Sequence, residues 1–213
     1  MKTKHLFLFT ITLLNFTTFA QNKMSDDREK VNFGVKAGVN FSNRYDSVGE
    51  EFSADTKTGL AGGIFLDVPL GKFLGVHPEI LYAQKGYKET GNVLGNAYTL
   101  TRTTDYLDIP LLFSLKPAGF LTILAGPQYS YLTKQKDVFE NSLATIEQEN
   151  TFKNDNIRKN IFGFTGGFDL NLNKLVIGAR AGWDIQNNNG DGTSTNPRYK
   201  NAWTQVTLGF KIL

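Results

Sequence analysis

Residues 106–115, YLDIPLLFSL, have two faces that share almost nothing. In an extended chain Leu107, Ile109, Leu111, Phe113 and Leu115 lie on one side, and Tyr106, Asp108, Pro110, Leu112 and Ser114 on the other. A helix would mix the two sets. One side offers nothing but large hydrocarbon, while the other carries a carboxylate, a phenol and a hydroxyl. This is the pattern of a strand with oil outside and a polar interior.

The same alternation returns along the chain. Phe33, Val35, Ala37, Val39 and Phe41 oppose Asn32, Lys36, Asn40 and Ser42; Leu60, Ile64, Leu66 and Val68 oppose Phe65 and Asp67. Val76, Pro78, Ile80 and Tyr82 oppose His77, Glu79 and Lys85, although Leu81 and Ala83 share that polar face. After the 106–115 stretch come Leu121, Ile123, Ala125, Tyr129 and Tyr131 on one face. Next, Phe162, Phe164, Phe168, Leu170 and Leu172 face away from Thr165 and Asp169. Two further strands set Leu175, Ile177, Ala179, Ala181, Trp183 and Ile185 against Arg180 and Asp184, and Ala202, Val206, Leu208, Phe210 and Ile212 against Gln205, Thr207 and Lys211. Segments 43–57, 91–95, 133–156 and 186–197 are polar, without sustained period, and read as loops, the third of them a long mobile one. Pro69-Leu70-Gly71-Lys72, Lys116-Pro117-Ala118-Gly119 and Asn173-Lys174 read as tight turns.

Long and short connections therefore alternate, which is the meander of a membrane barrel with its turns on the periplasmic side. A Greek-key sandwich would not keep that order. Strands in hydrocarbon must close on themselves, because each unpaired edge amide there costs several kcal/mol. The expected fold is all-β: an eight-stranded antiparallel up-and-down transmembrane β-barrel over residues 31–213. Phe33, Tyr82, Tyr129, Tyr131, Trp183 and Phe210 fall near strand ends on the apolar face, where aromatic girdles sit. An eight-stranded interior is about filled by side chains, so Lys36, Asp67, Glu79, Lys85, Arg102, Asp108, Asp169, Arg180, Asp184 and Lys211 are expected to pair with one another and close the lumen.

Ahead of the barrel, residues 1–20 have the form of a secretory signal: Lys2 and Lys4, an apolar run from Leu6 to Phe16, and Thr18-Phe19-Ala20. Residues 21–30, QNKMSDDREK, read as a short periplasmic leader. The absence of cysteine from 213 residues removes disulfides, thiolate metal sites, a cysteine nucleophile and a lipidated N-terminal cysteine. The formal charge is +3, and two of those charges belong to Lys2 and Lys4. That balance gives no basis for a nucleic-acid partner.

The runs FGVKAGVNFS (33–42), IFLDVPLGKFLGVHPEILYAQKG (64–86), YLDIPLLFSL, LAGPQYSYL (124–132) and LGFKIL (208–213) resemble the porin-family, PorT-like outer-membrane β-barrel proteins of Bacteroidetes. The resemblance implies an eight-stranded barrel in the outer membrane. PorT itself is associated with type IX secretion, a role these blocks do not carry over. Barrels of this kind usually end on an aromatic residue read by the assembly machinery, whereas this chain ends Phe210-Lys211-Ile212-Leu213.

No catalytic constellation emerges. His77 is the only histidine beyond residue 20, and Glu79 shares its face, but no serine is placed to complete a triad. The glycine runs open no helix, so they are not phosphate loops, and Asn187, Asn188, Asn189, Asp191 and Thr193 match no EF-hand spacing. The reading is a non-enzymatic, monomeric barrel without cofactor, held in outer-membrane lipid and inserted by the barrel assembly machinery. Its outer loops would meet any partner, possible ones including an envelope or secretion complex. A narrow porin for small solutes and a soluble lipocalin-like barrel are the other readings.

Overall fold

The structure is a computed structural model that describes residues 28–48, 54–93, 96–141, 145–150, 157–188 and 198–213. The signal segment, most of the leader and residues 189–197 lie outside them. The chain forms β1 (Asn32–Val48), β2 (Ala54–Pro69), β3 (Leu74–Val93), β4 (Asn96–Ala118), β5 (Leu121–Asn141), β6 (Thr145–Asn150), β7 (Asn160–Leu172), β8 (Leu175–Asp184) and β9 (Arg198–Lys211). All pairings are antiparallel. Eight strands close a ring in the order β1, β2, β3, β4, β5, β7, β8, β9, with β9 returning to β1 from Gly34↔Lys211 to Val48↔Arg198. The meander and its eight-fold closure are as the alternation requires.

Sidedness follows parity. Leu107, Ile109, Leu111, Phe113 and Leu115 are exposed on the outer wall, while Tyr106, Asp108, Pro110, Leu112 and Ser114 are buried inside. Where tight turns join β2 to β3, β4 to β5 and β7 to β8, the outer wall carries Phe73, Phe120 and Phe210. At the opposite end it carries Tyr82, Tyr129, Tyr131 and Trp183. These rings have polar handles: the Tyr129 hydroxyl donates to Asn160 Oδ1 at 2.6 Å and Gln84 Nε2 donates to the Tyr82 hydroxyl at 3.0 Å. Such amphipathic rings suit a membrane boundary.

Three expectations are corrected. The segment 133–156 is not a structureless loop: β5 runs on to Asn141 and turns back as β6, which pairs with it from Gln135↔Asn150 to Glu140↔Thr145. Segments 43–57 and 91–95 are likewise mostly strand, since β1 reaches Val48, β2 starts at Ala54 and β3 reaches Val93. β3, β4 and β5 span 20, 23 and 21 residues, about twice what a bilayer crossing needs. Above the membrane both faces of a strand meet water, so the alternation that marks a wall strand is lost although pairing continues. Finally, the turn after β4 falls at Gly119 and Phe120, and Lys116, expected in a turn, is a buried strand residue.

Small-barrel curvature presses neighbouring strands together at inward-facing glycines. A Cβ on Gly63 would lie 2.0 Å from the Ile80 carbonyl oxygen, and one on Gly167 would lie 2.0 Å from that of Ala179. The backbone on either side must move to admit any side chain. Gly63→Val is expected to destabilise the barrel by about 1–3 kcal/mol through overpacking. Gly166→Ala, whose Cβ on the outer wall would meet the nearest atom at 3.3 Å, should cost less. Heat-modifiable gel migration after refolding in detergent checks the order; equal yields for both variants would refute it.

Candidate functional site

The barrel interior carries the chain's concentrated chemistry. Alternate residues of the wall strands must point inward, and in a ring of eight strands they converge on one axis. Near the turn end, Lys116 on β4 bonds Asp67 on β2 at 2.7 Å and also reaches the Arg28 carbonyl at 3.3 Å. His77 on β3 follows, with Nδ1 3.8 Å from Asp67 and Nε2 3.1 Å from Glu79, its ring stacked on Phe65 at a centroid distance of 5.4 Å. Glu79 takes Lys36 on β1 at 2.5 Å and Arg180 on β8 at 3.3 Å. Arg180 in turn donates to both Asp169 oxygens, at 2.7 and 3.0 Å. One connected network thus ties together six wall strands of the ring and leads from Lys116 to Asp169.

Beside this network, Leu81 and Leu112 are buried with Gln128, Thr165 and Gln205. A cavity of about 10 Å³ lies among them, room for roughly one water. The next layer centres on Lys85, which has no exposed surface. Its ammonium donates to Asp108 at 3.1 Å and to the Ser130 hydroxyl at 3.4 Å, and sits 3.9 Å from the Trp203 ring centroid and 4.7 Å from that of Tyr106. Two aromatic faces and a carboxylate replace the hydration that this ammonium loses. Asp184 is held differently: Asn201 donates its backbone and side-chain N–H to Oδ2 at 3.2 and 2.6 Å, and among the described residues it makes no ion pair. At the loop end Arg102 grips Asp137 through two bonds of 2.7 and 2.8 Å. Arg44 lies 4.6 Å over the Tyr87 ring and 3.5 Å from Glu89, and Tyr87 meets Tyr199 edge-on at 5.2 Å.

Of the residues singled out from sequence, Lys36, Asp67, Glu79, Asp169 and Arg180 are brought into one network. Lys85 and Asp108 form a second pair, Arg102 bonds a residue not singled out, and Asp184 stands apart with an amide partner. Lys211 lies at the turn-end mouth, lining a cavity of about 20 Å³ with Arg28, Asp67 and Lys116. Lys116, Arg44, Glu89 and Asp137 were missed. Parity could have found three of them, which continue the inward series of their strands: Lys116 after Ser114, Arg44 after Ser42 and Glu89 after Tyr87; Asp137 lies beyond a register shift between Leu132 and Lys134, where the inward series of β5 changes from even to odd positions. The buried carboxylates thus face cations and a histidine whose ring is stacked on Phe65.

A closed antiparallel ring with an apolar outer wall and a packed, charge-paired interior is the architecture of an outer-membrane β-barrel protein. The chain belongs to the family described as "Outer membrane protein beta-barrel domain", which matches residues 19–188, and its place is the outer membrane. Similar solved structures include Neisserial surface protein A, at 10% identity and a TM-score of 0.48 over 84% of this chain and 97% of that one. Ail, the attachment invasion locus protein of Yersinia pestis, is similar at 11% identity and TM-score 0.41, over 84% and 98%. OprG from Pseudomonas aeruginosa is similar at 14% identity and 0.41, over 85% and 95%. No curated protein matches the chain.

Removing one member of a buried pair leaves the other charge unpaired, so Lys85→Leu should cost about 3–5 kcal/mol. Adding Asp108→Leu to it should recover part of that loss. Guanidinium unfolding in detergent micelles, followed by tryptophan fluorescence because Trp203 covers Lys85, measures both. A double variant no more stable than the single one would contradict the pairing.

Proposed function

We propose that this protein is a closed, non-enzymatic, monomeric barrel that conducts no solute and works through the sheet it projects beyond the membrane. The observation that carries this reading is the filled lumen. Tyr87, Tyr106, Tyr199, Trp203, Leu112 and Leu124 are all buried across it, interleaved with the paired charges, and Leu112 has no exposed surface. A conduit needs a continuous wet path, whereas an eight-stranded ring is only wide enough for its own side chains. β3, β4 and β5 continue past the Tyr82, Tyr129 and Tyr131 belt into water, with β6 alongside. The barrel therefore serves as the anchor and the projecting sheet as the working surface. Insertion by the barrel assembly machinery and solvation by outer-membrane lipid belong to the same proposal.

The finer kinship with PorT-like barrels rests on the blocks at 64–86 and 106–115, which form the β2 to β3 hairpin and the inner half of β4. Under it the partner of the projecting sheet is an envelope complex, and extraction in mild detergent should bring the protein down with larger assemblies.

Two measurements test the main reading. In planar bilayers the purified protein should show no single-channel steps, and steady open conductance would overturn the closed lumen. Because the chain has no cysteine, single substitutions report topology cleanly. Ile146→Cys on β6 should react with a membrane-impermeant maleimide on intact cells, and Leu70→Cys, in the turn between β2 and β3, should react only after the outer membrane is opened. The reverse pattern would turn the barrel over.

A further inference from the structure

Three prolines stand in mid-wall, and they fall in three neighbouring strands. Pro78 of β3 lies between Leu74 and Tyr82, Pro127 of β5 lies between Leu121 and Tyr131, and Pro110 of β4 pairs with Gln128 beside it. The other wall strands carry no proline away from their ends. A proline has no N–H to give to a ladder and is normally kept out of interior strands. Here the register runs on unchanged past each one, yet Leu66 does not pair with Pro78, Glu79 with Pro110 or Leu111 with Pro127. No water replaces those bonds in hydrocarbon, so a line of weak points crosses the three strands. On its lumen side lies the cavity of about 10 Å³, lined in part by Glu79, Pro110 and Leu112.

Outward of that line the same strands are loosely joined to the rest of the ring. β2 and β3 part beyond Ala61↔Ala83 and pair again only from Thr56↔Tyr87 to Ala54↔Glu89. Side chains fill the break: Asn40 donates to the Gln84 carbonyl and Ser42 to that of Gly86, each at 2.9 Å. On the other flank β5 leaves β7 after Tyr131. The further ties are side-chain contacts: Arg44 to Glu89 at 3.5 Å, Tyr87 edge-on to Tyr199 at 5.2 Å, and Ile161 packed on Tyr106 and Leu132. These can slide without breaking a ladder. Among themselves β3, β4 and β5 stay paired as far as Val93↔Asn96 and Tyr98↔Asn141. Lys85, Asp108 and Ser130 all lie on these three strands, outward of the prolines, so their bonds are internal to the unit. Trp203, whose ring centroid is 3.9 Å from the Lys85 ammonium, belongs to β9.

We propose that the outer halves of β3, β4 and β5 form one hinged panel that swings on Pro78, Pro110 and Pro127 and carries the Lys85 and Asp108 pair with it. A load on the projecting sheet then shifts the upper lumen packing against Trp203, while the network from Lys116 to Asp169 holds the lower half. The hinge goes beyond the closed-barrel reading and does not depend on which side of the membrane the sheet faces, which the cysteine labelling tests separately.

The test uses the full chain in non-ionic detergent micelles. Hydrogen exchange read by mass spectrometry should be about tenfold faster or more in 77–81, 109–112 and 126–128 than in the mid-wall segments 176–181 and 205–208 of β8 and β9. The triple variant Pro78→Ala, Pro110→Ala, Pro127→Ala restores the three donors and should bring the two sets together. Because the chain has no cysteine, nitroxide pairs can be placed singly. Leu70→Cys in the turn with Thr90→Cys on the panel should give a broad distance distribution by pulsed electron paramagnetic resonance, narrowed in the triple variant. Leu70→Cys with Asn43→Cys on β1 should be narrow in both. Equal exchange in the two sets of segments, or a Thr90 distribution as narrow as that of Asn43, would overturn the hinge. Both comparisons are made with the prolines in place, so they decide even where heat-modifiable migration shows the triple variant unfolded. A folded triple variant with unchanged exchange and distances would overturn it as well.

Discussion

A backbone amide has no partner in hydrocarbon except another backbone group, and this requirement governs the structure. A single sheet of eight strands would leave two open edges. The chain removes them by returning β9 to β1 along thirteen residue pairs from Gly34↔Lys211 to Val48↔Arg198. Once the ring is closed, every wall strand has one face toward lipid and one toward the axis, and the period-two pattern of the sequence becomes compulsory. A slip of one residue in the β3–β4 register would turn Asp108 or Lys85 to the lipid and drive leucines into the charged lumen.

Closure also decides what the interior must contain. Eight strands enclose about as much space as side chains fill, too little for a channel, and here long polar side chains take much of it. Charges so placed lose their hydration and are tolerable only in company. The lumen supplies that company in three ways. Near the turn end, carboxylates sit among cations in one network from Lys116 to Asp169. Mid-barrel, Lys85 is held by Asp108 and two aromatic faces. Asp184 relies on the amide hydrogens of Asn201. The same groups that make the interior polar are therefore the ones that obstruct it.

The wall was legible in the sequence because lipid on one side and ion pairs on the other enforce alternation residue by residue. Residues 106–115 showed both faces without error, and β8 did so through Arg180 and Asp184. Partners were not legible, since register places Arg102 beside Asp137, and Lys85 reaches Asp108 four positions away from its own register partner Thr104; no local spacing encodes either. Lys116 was hidden by the proline after it, which reads as a turn although β4 continues to Ala118. The projecting sheet was hidden for a different reason. In 134–141, KQKDVFEN, residues of both parities are polar because water bathes both faces, so the strand continues through pairing with β4 and β6 rather than through pattern.

The two regimes meet within single strands. β5 pairs with β7 from Leu121 to Tyr131 and with β6 from Gln135 to Glu140, so its partner changes just above the aromatic belt. Below that point the ring must be complete, and it is. Above it an open edge costs little, because water satisfies stray amides, and the sheet need no longer curve back on itself. An unclosed sheet is thus allowed only where the bilayer ends, and a chain that extends β3, β4 and β5 farthest there builds an asymmetric surface on its anchor. The alternation that first defined residues 106–115 explains why the barrel stays in the membrane. Its disappearance farther along the same hairpin marks where the protein leaves it.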